Sequence, residues 1–136
     1  MCGGVFYIHN EKPYRVYFPN PAAELPVLQK HKPPLLIPWG RRQKQHGKLP
    51  LGGWARLESI HSGGWDRYFP KPVKISVMSF MEKDIEGNSH WFDITEGHWV
   101  QGLIAQHSEE SRVYVVTIQP EVESAIHQRW PRILAG

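Results

Sequence analysis

Apolar and polar residues alternate over short stretches of this chain, and Gly, Pro or Asn separates most stretches from the next. A period of two predicts β-strands, whereas an amphipathic helix needs apolar residues three and four positions apart. Strands are predicted over residues 4–8, 14–18, 26–28, 35–37, 73–81, 90–94, 99–105 and 112–118. Alternation over residues 73–80 is partial, which is typical of a strand covered on both faces. A hairpin turn is predicted over residues 84–89, because Gly87 and Asn88 suit such a turn.

One segment near the carboxyl end has helical spacing. Val122, Ile126 and Trp130 recur every four residues, Pro120 suits a first helical position, and two glutamates follow it. Acidic residues stabilise the positive end of a helix dipole, and Pro131 should end the helix. The pattern therefore predicts a helix over residues 120–130 in an otherwise β-rich chain.

Length and composition narrow the class of protein. A chain of 136 residues with 40% hydrophobic and 21% charged residues suits one globular domain and argues against disorder. A single cysteine excludes an intramolecular disulfide framework and a multi-cysteine zinc site, and the histidine spacing predicts no metal site. Neither a stretch of about twenty apolar residues nor a signal peptide is present, so we expect a cytoplasmic protein without membrane association.

Positive charge is concentrated in the first half of the chain. Residues 1–74 hold twelve Lys and Arg against four Asp and Glu, whereas residues 75–136 hold four against nine. Between Lys30 and Lys48 there are six basic residues and no acid. Such a run favours a polyanionic partner, nucleic acid first, although a solvated basic loop without a partner is an equally good interpretation of charge alone.

Residues 38–72 combine this charge with aromatic rings. Their many prolines and glycines predict a long irregular loop. Aromatic faces among cations are typical of a surface for single-stranded nucleic acid, where rings stack on bases and cations follow phosphates. For each tryptophan the alternative is a place in the core. The segment holds Trp39, Trp54, Trp65, Tyr68, Arg41, Arg42, Arg56 and Arg67.

Cys2 offers distinctive chemistry because removal of Met1 would leave it as the terminal residue. An α-amine and a thiol on adjacent carbons both have a pKa near neutrality, about 8 and 8.5. The amine can condense with an aldehyde to a Schiff base, and the thiol can then close a five-membered thiazolidine ring. The thiol alone could also act as a nucleophile. The alternative is a small apolar residue at a frayed terminus.

Motifs along the whole chain occur in the order found in the SOS response-associated peptidase family, which this chain resembles. That family begins Met-Cys-Gly-Arg and ends His-x-Arg-Met-Pro-x-x-Leu, with a Trp-Gly pair, Asn-Ala-Arg-Ala-Glu-Thr, Gly-Phe-Tyr-Glu-Trp and Ala-Gly-Leu-Trp between. The corresponding segments here are the opening Met-Cys-Gly, the pair at 39–40, and residues 54–58, 79–83, 101–104, 116–117 and 127–134.

The resemblance implies an α+β fold: a β-rich single domain over residues 1–136 with a mixed or antiparallel barrel-like sheet and few helices. It also implies binding of single-stranded or gapped DNA and a covalent thiazolidine with the ring-opened aldehyde of an abasic site. No cofactor is implied, and we expect a monomer. The carried-over catalytic residues are Cys2 as nucleophile, Glu82 as proton carrier that orients the amine, and His127 as acid and base in opening the sugar.

The same resemblance assigns DNA contacts to Arg56, and Arg41 and Arg42 add charge beside Trp39 and Trp54. Guanidinium groups suit phosphate because they donate two parallel hydrogen bonds.

This sequence also departs from the family pattern. Gly4 stands in place of arginine, Trp54 in place of an asparagine that organises the site, and Trp130 in place of methionine. Its Leu-Ile-Pro segment precedes the Trp-Gly pair rather than following it. Two further functions therefore stay open: a thiol autopeptidase that removes residues ahead of Cys2, and a single-stranded DNA-binding module without chemistry.

Overall fold

The computed structural model describes residues 2–119 and 129–136, which form two β-sheets. One short helix, α1 (Leu57–His61), and a 3₁₀ turn, Asp66–Tyr68, lie in the long segment between β4 and β6. The strands of the described residues are β1 Gly4–His9, β2 Lys12–Tyr17, β3 Glu24–Gln29, β4 Lys32–Pro38, β5 Trp54–Arg56, β6 Lys71–Ile75, β7 Ser79–Lys83, β8 Ser89–Asp93, β9 His98–His107, β10 Glu110–Ile118, β11 Trp130–Pro131 and β12 Ile133–Ala135.

The first sheet is antiparallel and has the order β2-β1-β7-β8. Gly4 lies opposite both Tyr17 and Met81, so the amino-terminal strand is in the centre of this sheet. The predicted hairpin between β7 and β8 is confirmed. Its turn is held by Asp84, whose carboxylate accepts the backbone N–H groups of Glu86 and Asn88.

The second sheet has the order β11-β10-β9-β6-β3-β4, with β12 antiparallel on β9 and β5 parallel on β10. It is not closed into a barrel, which corrects the barrel-like expectation. Three residues of the edge strand β4 are proline, and proline has no N–H group to donate to a further strand. A single isolated bridge between Trp39 and Val113 links the chain after β4 to β10. The fold is therefore β-rich with mixed sheets.

The long strand predicted over residues 73–81 is wrong: it is two strands in different sheets, β6 and β7. The N–H of Ser76 donates to Pro26 in β3, whereas that of Met78 donates to Phe6 in β1. The backbone thus leaves the second sheet and enters the first within three residues. Most of the helix predicted over residues 120–130 lies outside the described residues, and its last residue, Trp130, begins β11.

The core has two parts, one on each face of the second sheet. The first lies between the sheets and includes Cys2, Leu25, Trp39, Ile75 and Phe80. The second packs the 49–68 segment against the outer face, and its members are Leu49, Ala55, Trp65, Leu103, Ala105, Tyr114 and Val116. Residues 38–72 are therefore not only a loop, because they include β5, α1 and the 3₁₀ turn and pack on the outer face of the second sheet.

None of the helices in the described ranges has the length and apolar character needed to cross a membrane.

Candidate active site around Cys2

Cys2 lies in the core, immediately before β1. The N–H of Gly3 donates to the carbonyl of Met81 at 2.9 Å, which extends the β1–β7 pairing to the amino-terminal residues. Cys2 is 1% exposed, and its thiol donates to the carbonyl of Gly4 with a sulfur–oxygen distance of 3.4 Å. The pairing thus holds the predicted nucleophile in a fixed, dry position.

Glu82 is buried in β7 and lies close enough to Cys2 to act on it electrostatically. Burial, with a smaller contribution from the negative charge of Glu82, raises the pKa of the Cys2 thiol to about 12. Burial also raises the pKa of Glu82 above its usual range. The thiol is therefore protonated at neutral pH, next to a carboxyl whose proton is held more tightly than in water.

Trp54 fixes the backbone of Cys2 from the other side. Its indole N–H donates to the carbonyl of Cys2 at 2.7 Å. The ring packs on Phe18 with centroids 4.8 Å apart and meets Trp39 edge-on at 6.3 Å. Trp54 therefore contacts the main chain of the predicted nucleophile directly.

A cavity of about 460 Å³ is lined by Gly3 and Trp54, the chain neighbour and the hydrogen-bond partner of Cys2, whereas Cys2 and Glu82 do not line it. Most of its wall is apolar or aromatic, and Lys83 and Ser89 supply polar groups at one side. Apart from Trp54, the sequence analysis did not single out the lining residues as site residues, because the pairing of β1 with β2 and of β7 with β8 brings them together from distant positions. The lining residues are Gly3, Tyr17, Phe18, Pro19, Trp54, Met81, Lys83 and Ser89.

Three of the residues assigned to DNA contact, Trp39, Arg41 and Arg42, make hydrogen bonds within the fold. Trp39 is 0% exposed and donates its indole N–H to Gly53 at 3.0 Å, so neither face of its ring is open to a base. Arg41 donates to the carbonyls of Leu49 and Gln45. These bonds hold the loop in place, because a cation satisfies several carbonyl groups at once.

Arg42 is held in a similar way. It donates to the carbonyls of Phe18 and Trp39, and its guanidinium lies over the Phe18 ring, 4.1 Å from the centroid. Desolvation lowers its pKa, as expected for a cation enclosed by the protein. Arg56, by contrast, is exposed. Trp54, the remaining residue assigned to DNA contact, is half-buried.

Pairing of β5 with β10 joins distant motifs into one cluster. Arg56 lies opposite Thr117, whose backbone and hydroxyl oxygens accept hydrogen bonds from Arg129. Arg129 also donates two hydrogen bonds to the carboxylate of Glu58, and these lower the pKa of that carboxyl. Trp130 packs edge-on against Phe80 of β7, with centroids 5.2 Å apart. The segment after residue 128 is thus anchored beside the strand that carries Glu82.

His127, the predicted acid and base, lies outside the described residues. Within residues 2–119 and 129–136, no group of three or more His, Cys, Asp or Glu side chains could hold a metal ion.

No family model, curated protein or solved structure matches this chain.

Proposed function

We propose that this protein captures abasic sites in single-stranded DNA by a covalent thiazolidine bond at Cys2. The observation that supports the proposal best is the proximity of Cys2 and Glu82, both buried, with a partly aromatic cavity at Gly3 and Trp54, the residues that adjoin Cys2. The resemblance of the sequence motifs supports the same conclusion.

The reaction begins once Met1 is removed and the α-amine of Cys2 is exposed. The amine attacks the aldehyde carbon of the ring-opened sugar and forms a carbinolamine, which loses one water to give a Schiff base. The thiol sulfur then adds to the same carbon, and its proton goes to the nitrogen. One carbon–nitrogen and one carbon–sulfur bond form, and one water leaves.

A raised thiol pKa is compatible with this order of steps. The amine, not the thiolate, makes the first bond, so the thiol stays protonated until the electrophile is next to it. Glu82 accepts the thiol proton and returns it to the nitrogen, because its own pKa is raised by burial. A protonated resting thiol also limits unwanted reactions with other electrophiles.

In this proposal the cavity binds the sugar and its neighbouring bases. Its volume of about 460 Å³ is within the range of small-ligand sites. Tyr17, which is 43% exposed, offers a ring for stacking, and Lys83 offers an ammonium group for a phosphate. Arg56, exposed on β5, would contact the backbone further along the strand.

The test is a denaturing gel of protein incubated with an oligonucleotide that carries one abasic site. We expect a covalent band for the natural chain, none for Cys2→Ala, and a rate at least about 100-fold lower for Glu82→Gln, the range typical of a lost proton carrier. An oligonucleotide with a reduced abasic site, which has no aldehyde, measures binding alone. A covalent band of equal intensity from Cys2→Ala would refute the proposal.

A DNA-binding module without chemistry is the second candidate. The enclosure of the Cys2 thiol, at 1% exposed, favours it, because the sulfur must become accessible before any bond can form. Binding of the reduced site with strong salt dependence, and no covalent band after Met1 removal, would select this function.

A further inference from the structure

A groove of about 620 Å³ crosses the second sheet and shares no lining residue with the cavity beside Cys2. Its floor is formed by aliphatic side chains of β3, β4, β6 and β9: Val27, Leu35, Ile37, Val73 and Ile104. Leu35, which lies opposite Val27, is 51% exposed. Ile37, Val73 and Ile104 are half-buried and Val27 belongs to the core, so the strip is open to water chiefly at Leu35. A partly exposed aliphatic strip on a sheet face is typical of a binding surface.

Four lysines surround this floor, namely Lys30, Lys32, Lys71 and Lys74, and none of the described lining residues is acidic. Lys74 donates to the backbone carbonyl of Gly136 at 2.9 Å. The other three ammonium groups make no hydrogen bond or ion pair within the described residues. The groove is therefore a local concentration of positive charge, and no acidic side chain among the described residues that line it neutralises this charge.

Strand pairing explains why these lysines lie near one another. Lys30 and Lys32 flank the turn between β3 and β4. Val27 lies opposite Ile75, and continuing this antiparallel register brings the start of β6, with Lys71, towards the same turn. β3 lies between β4 and β6, so these two strands are about 10 Å apart. The lysines therefore stand on both sides of a narrow aliphatic strip.

We propose that this groove binds a short acidic peptide segment of a partner protein, in which carboxylates alternate with apolar side chains. The described lining contains neither an aromatic ring nor arginine, so the stacking platform that single-stranded nucleic acid uses is absent. Aliphatic side chains fit the floor, and carboxylates complement the lysines. In an extended peptide successive side chains point to opposite faces, which separates the two kinds of group. The proposal is independent of the chemistry at Cys2.

The test is fluorescence anisotropy with a labelled peptide of about eight alternating aspartates and leucines, a length that spans roughly 26 Å when extended. We expect saturable binding that weakens at least tenfold in Lys32→Glu/Lys71→Glu and in Leu35→Ser. The matched control is Lys12→Glu/Lys44→Glu, which makes the same change of charge at exposed positions outside the groove. Thermal unfolding establishes that each variant is folded.

Two further probes separate charge from shape. A peptide with serine in place of leucine keeps the charge, and a peptide with asparagine in place of aspartate keeps the apolar side chains. Both should bind at least tenfold more weakly. The proposal is overturned if the control variant weakens binding as much as the groove variant, if oligothymidylate of equal length displaces the peptide and binds more tightly, or if no binding is detected.

Discussion

Replacing Trp54 with phenylalanine tests whether its indole N–H holds Cys2 in place. The change removes the 2.7 Å hydrogen bond to the Cys2 carbonyl and keeps an aromatic ring against Phe18. A neutral hydrogen bond contributes about 1 kcal/mol, and a buried acceptor left without its donor raises the loss to about 1–2 kcal/mol. Segment opening around Cys2 should therefore become about 5–30 times more frequent.

The measurement is the rate at which a thiol reagent labels Cys2 under native conditions. Since the side chain is 1% exposed, labelling requires this opening. Trp65→Phe is the matched control: Trp65 is buried where Trp54 is half-buried, it packs on Tyr114 at 4.8 Å, and its indole makes no hydrogen bond within the described residues. Denaturant unfolding of both variants gives the global loss of stability for comparison.

We expect the rate at which Cys2 is labelled to rise about 5–30-fold in Trp54→Phe. This rise should exceed the rise that the variant's loss of global stability alone would cause. An unchanged rate would refute the reasoning. So would an equal rise in a Trp65→Phe variant of equal global stability, because the effect would then not depend on the bond to Cys2.

Three further predictions concern stability. Gly40→Ala should cost about 2–4 kcal/mol in denaturant unfolding, because φ is +56° and a Cβ would clash with the backbone oxygen of Gly52. Gly87→Ala, in open space, should cost about 1 kcal/mol. Arg129→Met should destabilise the protein by about 2–3 kcal/mol, because buried hydrogen bonds are lost. Glu58→Gln should have a much smaller effect, because the Glu58 side chain is 61% exposed. Equal losses of stability in the two variants would contradict this reasoning. Burial raises the pKa of the Cys2 thiol from 9.0 to about 12, so the protonated thiol contributes fully to stability below pH 9 and this contribution is lost between pH 9 and 12. Cys2→Ala should therefore lose less stability over that pH range than the natural chain.

Local sequence pattern predicted the strands well where each pairs with a neighbour in the chain. The β7–β8 hairpin followed from Gly87 and Asn88, because turn chemistry acts over a few residues. The division of residues 73–81 was not predictable, since it depends on Pro26 and Phe6, which accept hydrogen bonds from far along the chain. A continuous apolar pattern does not record where the backbone changes sheets.

The same limit applied to the candidate site. Cys2 and Glu82 were found by their chemistry and motif context, and the structure brings them together. Arg41 and Arg42 were assigned to phosphate because cations and aromatic residues adjoin in sequence. Their guanidinium groups instead satisfy backbone carbonyls in the fold, and sequence alone does not show which acceptors lie nearby. For Trp39, burial decided between stacking surface and core.

The measurement that tests covalent capture most directly is the intact mass of the purified protein before and after incubation with a single-stranded oligonucleotide that carries one abasic site. The account predicts a chain without Met1 whose mass rises by that of the oligonucleotide less one water, with no such rise in Cys2→Ala. A protein that lacks Met1 and binds the reduced oligonucleotide, yet gains no mass from the aldehyde form, would contradict it.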